Sequence, residues 1–77
     1  METNEVLELV AAEVHDEWMR GKRAKGITSR PSESGEEQMV PYAQLSEAAK
    51  DLDRGSVRAT LDALKRCGFE LTKAVTQ

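Results

Sequence analysis

Apolar positions in the first twenty residues repeat with the spacing of one helix face. The stripe predicts an amphipathic helix over residues 4–20, because positions three or four apart share a face of an α-helix. Gly21 follows as a stop signal, since glycine commonly ends helices. The side chains of this stripe are Leu7, Val10, Val14 and Trp18.

The next twenty residues lose this periodicity. Glycine, proline and serine recur through residues 21–40, and a connection of that length without its own structure is usually functional or mobile. The sequence therefore predicts a long loop after helix 1, mobile over about residues 27–39.

Two shorter helices are predicted in the second half of the chain. Ser46 can cap a helix that ends near Leu52, and Asp53 can cap another over residues 54–66, with Gly55 in the corner between them. Beyond Gly68, residues 69–71 are expected to form a short terminal extended strand. The predicted fold is mainly α, with three to four helices around one core. Its expected buried residues are Leu7, Val10, Val14, Trp18, Leu45, Leu52, Val57, Leu61, Leu64 and Phe69.

Composition narrows the class of protein. The 77 residues suffice for one domain, residues 1–77, and a net charge of −3 disfavours a nucleic-acid partner. No apolar run approaches the roughly 18 residues of a membrane span, so no membrane contact is expected. A single cysteine, Cys67, cannot form an internal disulfide, which fits a reducing, cytoplasmic location.

Nothing in the sequence indicates catalysis. His15 has no second histidine or nearby cysteine at metal-ligand spacing, and it forms no dyad signature with the distant Cys67. The carboxylates are spaced like a solvated helix face. We therefore expect a protein that is not an enzyme and has no metal or cofactor.

Charge and aromatic residues suggest a binding site instead. Residues 20–30 hold five basic side chains and no acid, which is either a solvated loop or a phosphate contact through Lys22 and Arg23. Trp18 and Tyr42 are either core residues or faces for a planar base, and His15 is either a structural hydrogen-bond partner or a ligand contact. Arg54, predicted at a helix N-terminus, either binds an anion or pairs with an acid of helix 1 or with Asp51.

Three blocks of the chain resemble the ryanodine-receptor repeat (RyR) family. The first is Ala11-Ala12-Glu13-Val14-His15-Asp16-Glu17-Trp18, the second Val40-Pro41-Tyr42-Ala43-Gln44-Leu45-Ser46, and the third runs from Leu61 to Phe69. Lys50 and Asp53-Arg54 also stand where the family tends to carry a lysine and a polar-arginine pair. One departure is the segment Gly26-Ile27-Thr28-Ser29, where many members carry Gly-Trp.

The resemblance implies a small bacterial or phage-type domain that binds or sequesters an adenine- or cyclic nucleotide-type ligand. The expected ligand contacts are His15, Trp18, Lys22, Arg23, Tyr42 and Arg54. Two alternatives remain open: a protein-interaction module or homo-oligomer without a small ligand, and a winged-helix DNA-binding protein built on residues 42–71.

Overall fold

Two long α-helices dominate the fold. The computed structural model describes residues 3–72, with α1 over Thr3–Ala24 and α2 over Glu47–Arg66. The connecting segment contains a short 3-10 turn at Tyr42–Gln44. The prediction of three to four helices is therefore wrong, although the mainly helical character is confirmed.

Helix α1 continues one turn beyond its predicted end. Gly21 lies inside the helix, and the chain turns instead at Gly26, whose φ of 80° is accessible to glycine without a steric penalty. There the amide of Ile27 donates to the carbonyl of Lys22 at 3.0 Å and that of Gly26 to Arg23 at 2.9 Å. This pair of bonds satisfies carbonyls that the helix end leaves without partners. The residues Arg20–Lys25 are therefore largely helical, not a loop.

Helix α2 replaces the two predicted short helices. Ser46 is confirmed as the N-cap, because its hydroxyl accepts a hydrogen bond from the amide of Ala49 at 3.2 Å. The predicted break at Asp53 and Gly55 is wrong, since both residues lie within one continuous helix. A glycine inside a helix costs only about 1 kcal/mol. Its neighbours Asp53 and Arg54 contact side chains of α1.

The C-terminal strand prediction is also wrong. Within residues 3–72 no strand forms, and residues 69–72 are irregular. Gly68, with φ 93°, ends α2 as predicted, and the amide of Phe69 donates to the carbonyl of Leu64 at 2.9 Å. The strand lacks a neighbour with which to pair, because the described part of the chain contains only an isolated bridge between Pro31 and Glu37.

The core is smaller than predicted and uses a different face of α1. Leu7, Ala11, His15 and Met19 are buried there, each four residues from the last. Leu7, Leu45 and Val57 are buried as expected, and Val10, Trp18 and Leu61 are half-buried. Two helices cover only one narrow stripe of each other, which leaves other apolar positions without a neighbour. The exposed residues that were wrongly expected in the core are Val14, Leu52, Leu64 and Phe69.

Two glutamates organise the connecting segment. Glu37 accepts hydrogen bonds from the hydroxyl of Ser29 and from the amides of Arg30 at 2.7 Å and Met39 at 3.0 Å. These donors, the Ser29 hydroxyl first, lower the pKa of Glu37 to about 2. Glu36 accepts from the amide and hydroxyl of Ser46 at 2.8 and 2.7 Å and so ties the segment to the start of α2. The mobility expected for residues 27–39 stays a prediction.

Candidate ligand-binding groove

His15 is the polar centre of the helix interface. Only 4% of its surface is exposed, and its Nε2 lies 2.8 Å from the carbonyl of Val40. A carbonyl only accepts, so Nε2 carries a proton and donates. Nδ1 lies 3.5 Å from Oδ2 of Asp53 on α2. His15 thus connects α1 to both the connecting segment and α2.

The contact between His15 and Asp53 joins the two helices through polar side chains, at a separation of 3.5 Å that is longer than an ordinary hydrogen bond. Burial raises the pKa of Asp53 and the neighbouring His15 lowers it, with burial the larger effect. Asp53 is thus a half-buried polar group at the helix interface.

Trp18 extends this centre toward the surface. Its ring stacks on His15 with a centroid separation of 5.5 Å and an interplanar angle of 27°. The Nζ of Lys22 lies 5.9 Å from the Trp18 centroid, within the range of a cation–π contact. Trp18 is half-buried, so part of its surface faces solvent.

A groove of about 280 Å³ opens beside these rings, here called the Trp18 groove. Its walls come from both helices, with Leu45 and Gln38 from the connecting segment. Val14 and Leu52, which are 46% and 70% exposed, lie on opposite walls, so two apolar residues that fail to enter the core line this groove instead. The full lining is Val14, His15, Trp18, Gln38, Leu45, Ala49, Leu52, Asp53 and Ser56.

A second, more open depression adjoins the first, here called the Ser32 hollow. It has a volume of about 410 Å³ and shares Gln38, Ala49 and Leu52 with the Trp18 groove. Because three lining residues are common, the two depressions form one continuous surface along α2. Its remaining lining residues are Ser32, Glu33, Ser34, Glu36 and Ala48.

Tyr42 lies outside the groove lining. Its ring packs against the core cluster of Leu7, Ala11 and Val57, and it is tilted by 57° from His15 at 6.3 Å. Its hydroxyl donates to Glu8 at 2.6 Å. Burial, followed by this bond, raises the pKa of Tyr42 to about 12. These contacts favour the core role over the role of a second aromatic face.

Arg54 lies two turns inside α2, not at the predicted helix N-terminus. Its guanidinium donates to Glu8 on α1, to Glu47 at 2.8 Å and to Asp51 at 2.7 Å. Glu8 bonds both Arg54 and Tyr42, which lowers the pKa of Glu8. Three carboxylates already occupy the guanidinium, so the structure favours the ion pairs over the anion site.

The basic residues near the end of α1 also have separate surroundings. Arg20 pairs with Glu17 at 2.5 Å, and Arg23 contacts the sulfur of Met19 at 3.8 Å. Lys22 alone of these three contacts Trp18. Cations near a helix C-terminus also interact favourably with the helix dipole, which accounts for their position without a ligand.

The structure thus brings His15 and Trp18 to the groove, with Lys22 at the margin, and leaves Arg23, Tyr42 and Arg54 out of its lining. Sequence reasoning missed three polar lining residues, Gln38, Asp53 and Ser56. Asp53 was interpreted as a helix cap because an aspartate before a predicted helix suits that role. Only its position on the interior of a continuous helix turns it toward His15.

Two negative findings concern the described residues. Among residues 3–72, no group of three or more histidine, cysteine, aspartate or glutamate side chains could hold a metal ion. No helix in that part of the chain has the length and apolar character needed to cross a membrane.

Three blocks of the sequence resemble the RyR family. In the structure they lie in α1, which carries His15 and Trp18, in the turn at Pro41–Tyr42, and at the glycine-terminated end of α2. The sequence model of the RyR domain matches residues 1–73 of the chain. The protein belongs to the RyR domain family. A search of curated proteins found no match.

Proposed function

We propose that this RyR domain is a non-enzymatic module that binds or sequesters an adenine- or cyclic nucleotide-type small molecule. The base would occupy the Trp18 groove. One observation carries the proposal: a partly exposed tryptophan stands beside buried His15 and half-buried Asp53 at an open groove.

The shape of the groove supports a flat ligand of modest size. Its volume of about 280 Å³ is close to the lower end of the range for small-molecule sites, which is roughly 300 Å³. Val14, Leu45 and Leu52 supply apolar walls, and a planar base gains both apolar burial and stacking near an indole ring. A purine-sized group therefore suits the site better than a long or branched molecule.

Polar groups at the groove supply the edge contacts that such a base needs. Asp53 can accept a hydrogen bond from an exocyclic amine or a ring N–H, and the amide of Gln38 can both donate and accept. Lys22 can leave the Trp18 ring without breaking a buried contact, because its side chain is flexible and only half-buried. The proposal assigns no ligand contact to Arg54 or Tyr42, whose polar groups are occupied.

Calorimetric titration and thermal shift with adenine, adenosine and a cyclic mononucleotide test the proposal. A ligand that binds only the folded state raises the melting temperature. Leu52→Ala should weaken binding severalfold, whereas Leu9→Ala should leave it unchanged. The pair is matched because both leucines lie on helices and are mostly exposed, at 70% and 60%, but only Leu52 lines the groove.

Trp18→Phe provides a second test at the same site. It retains an aromatic ring but reduces the stacking surface, so the free energy of ligand binding should change more than the free energy of unfolding. Binding that is unchanged in both Leu52→Ala and Trp18→Phe would move the site elsewhere. Absence of binding to every one of the three ligands would refute the proposed function.

A second candidate function is a protein-interaction module, and the exposed apolar residues favour it. Leu9, Leu64 and Phe69 lie outside both depressions and are 60%, 41% and 64% exposed. Light scattering over a range of concentrations distinguishes the candidates. Self-association that Phe69→Ser abolishes, without nucleotide binding, would favour the interaction module. The DNA-binding alternative stays a prediction, although the turn that it assumed near Gly55 lies within the continuous helix α2.

A further inference from the structure

Carboxylates line both depressions of the proposed site. Asp53 lines the Trp18 groove, and Glu33 and Glu36 line the Ser32 hollow. The residues that line the two depressions all belong to the described part of the chain, and none of them is a lysine or an arginine. A nucleotide-binding surface would normally place cations or free amides where phosphate lies. This surface presents carboxylates instead.

At least one of these carboxylates stays ionised at neutral pH. The Ser46 amide and then its hydroxyl hydrogen-bond to Glu36, and these bonds lower its pKa below the ordinary value of 4.5. Glu36 is also fixed in place, because it ties the connecting segment to the start of α2. Its negative charge is therefore a permanent feature of the hollow.

The continuity of the two depressions gives this charge a consequence for the ligand. A base in the Trp18 groove can direct its substituent along Ala49 and Leu52 into the Ser32 hollow. There it meets the hydroxyls of Ser32 and Ser34, whose oxygens are 2.9 Å apart, together with Glu33 and Glu36. Hydroxyls and carboxylates can hydrogen-bond the hydroxyl groups of a sugar. The same carboxylates repel a phosphate.

We infer that this site selects an uncharged base or nucleoside over its phosphorylated forms. The inference rests on the proposed function. It adds that the ligand is uncharged and that its sugar extends toward the Ser32 hollow. The sugar lies in the Ser32 hollow, and the 5′ substituent stays free of added negative charge. Lys22 remains at the Trp18 ring and takes no phosphate.

Calorimetric titrations with adenosine and adenosine 5′-monophosphate at low ionic strength test the inference. Adenosine should bind at least about tenfold more tightly, because a phosphate dianion near two carboxylates is repelled even at high effective dielectric constant. The difference should narrow as salt is added, since screening weakens interactions between exposed charges.

Glu33→Gln identifies the source of the discrimination. It removes one exposed charge from the hollow but keeps hydrogen-bonding groups there, so the ratio of adenosine affinity to monophosphate affinity should fall about twofold to fivefold. Glu13→Gln is the matched control, because Glu13 is also exposed but lies outside both depressions, and it should change neither affinity.

The possible failures are distinguishable. If both ligands bind and the monophosphate binds equally or more tightly, the charge selection is refuted while the proposed function stands. Loss of that tighter binding in Lys22→Ala would place the phosphate at the end of α1 instead. If adenine, both adenosine compounds and the cyclic mononucleotide all fail to bind, the proposed function is refuted and the inference with it; binding of the cyclic mononucleotide alone would refute only the inference.

Discussion

Gly55→Ala is the sharpest test of the continuous second helix. Gly55 is exposed, helical and midway along α2, and a Cβ added there meets no atom within 4 Å. Alanine is more favourable than glycine inside a helix by about 0.5–1 kcal/mol, because it loses less backbone freedom on folding. With no steric cost to offset this gain, the variant should be more stable than the parent by about that amount.

Urea titration followed by far-ultraviolet circular dichroism measures this change directly. For a chain of 77 residues, the gain should also raise the melting temperature by roughly 2–8 °C. Gly68→Ala is the matched control. A Cβ at Gly68 also meets no atom within 4 Å, but its φ is 93°, so alanine there should destabilise by about 1–2 kcal/mol. Destabilisation by Gly55→Ala would show that residues 53–56 form a corner between two helices, and the continuous α2 would be refuted.

Three further predictions concern the core, the helix cap and pH. Leu7→Ala should cost ~2–5 kcal/mol, because Leu7 is 4% exposed, whereas Leu9→Ala at 60% exposure should cost less than ~1 kcal/mol; equal losses in chemical denaturation would contradict the buried face of α1. Ser46→Ala should destabilise by ~1 kcal/mol through loss of the N-cap, and unchanged stability would show that the cap is unused. Ionised Glu37, with a pKa near 2 against an ordinary 4.5, should stabilise the fold above about pH 4.5 and lose this contribution as pH falls toward 2; Glu37→Gln should flatten the dependence of stability on pH in that range.

Much of the local structure follows from the sequence. The presence of the first helix, the Ser46 cap and the Gly68 stop depend on contacts within a few residues, so each could be predicted and each is confirmed. The three family blocks were recognisable for the same reason, because they are short and ordered along the chain. His15 and Trp18 were singled out within one of these blocks.

The tertiary structure decided the features that depend on distant partners. Gly55 and Asp53 look like a helix boundary by local preference, but α1 holds this stretch through the contacts of His15 with Asp53 and of Glu8 with Arg54. The side of α1 that packs against α2 is centred on Ala11 and His15. A search for regularly spaced apolar residues does not find this side, because a histidine lies at its centre.

The groove has the same origin. Val14 and Leu52 are apolar, so the sequence predicted that both are buried, but two helices and one connecting segment leave them on its open walls. Asp53 and Gln38 join them only because α2 is continuous and the connecting segment folds back along it. Sequence determines which residues prefer helix and which avoid water. How many neighbours are available to cover them depends on the whole chain, and here that number is small.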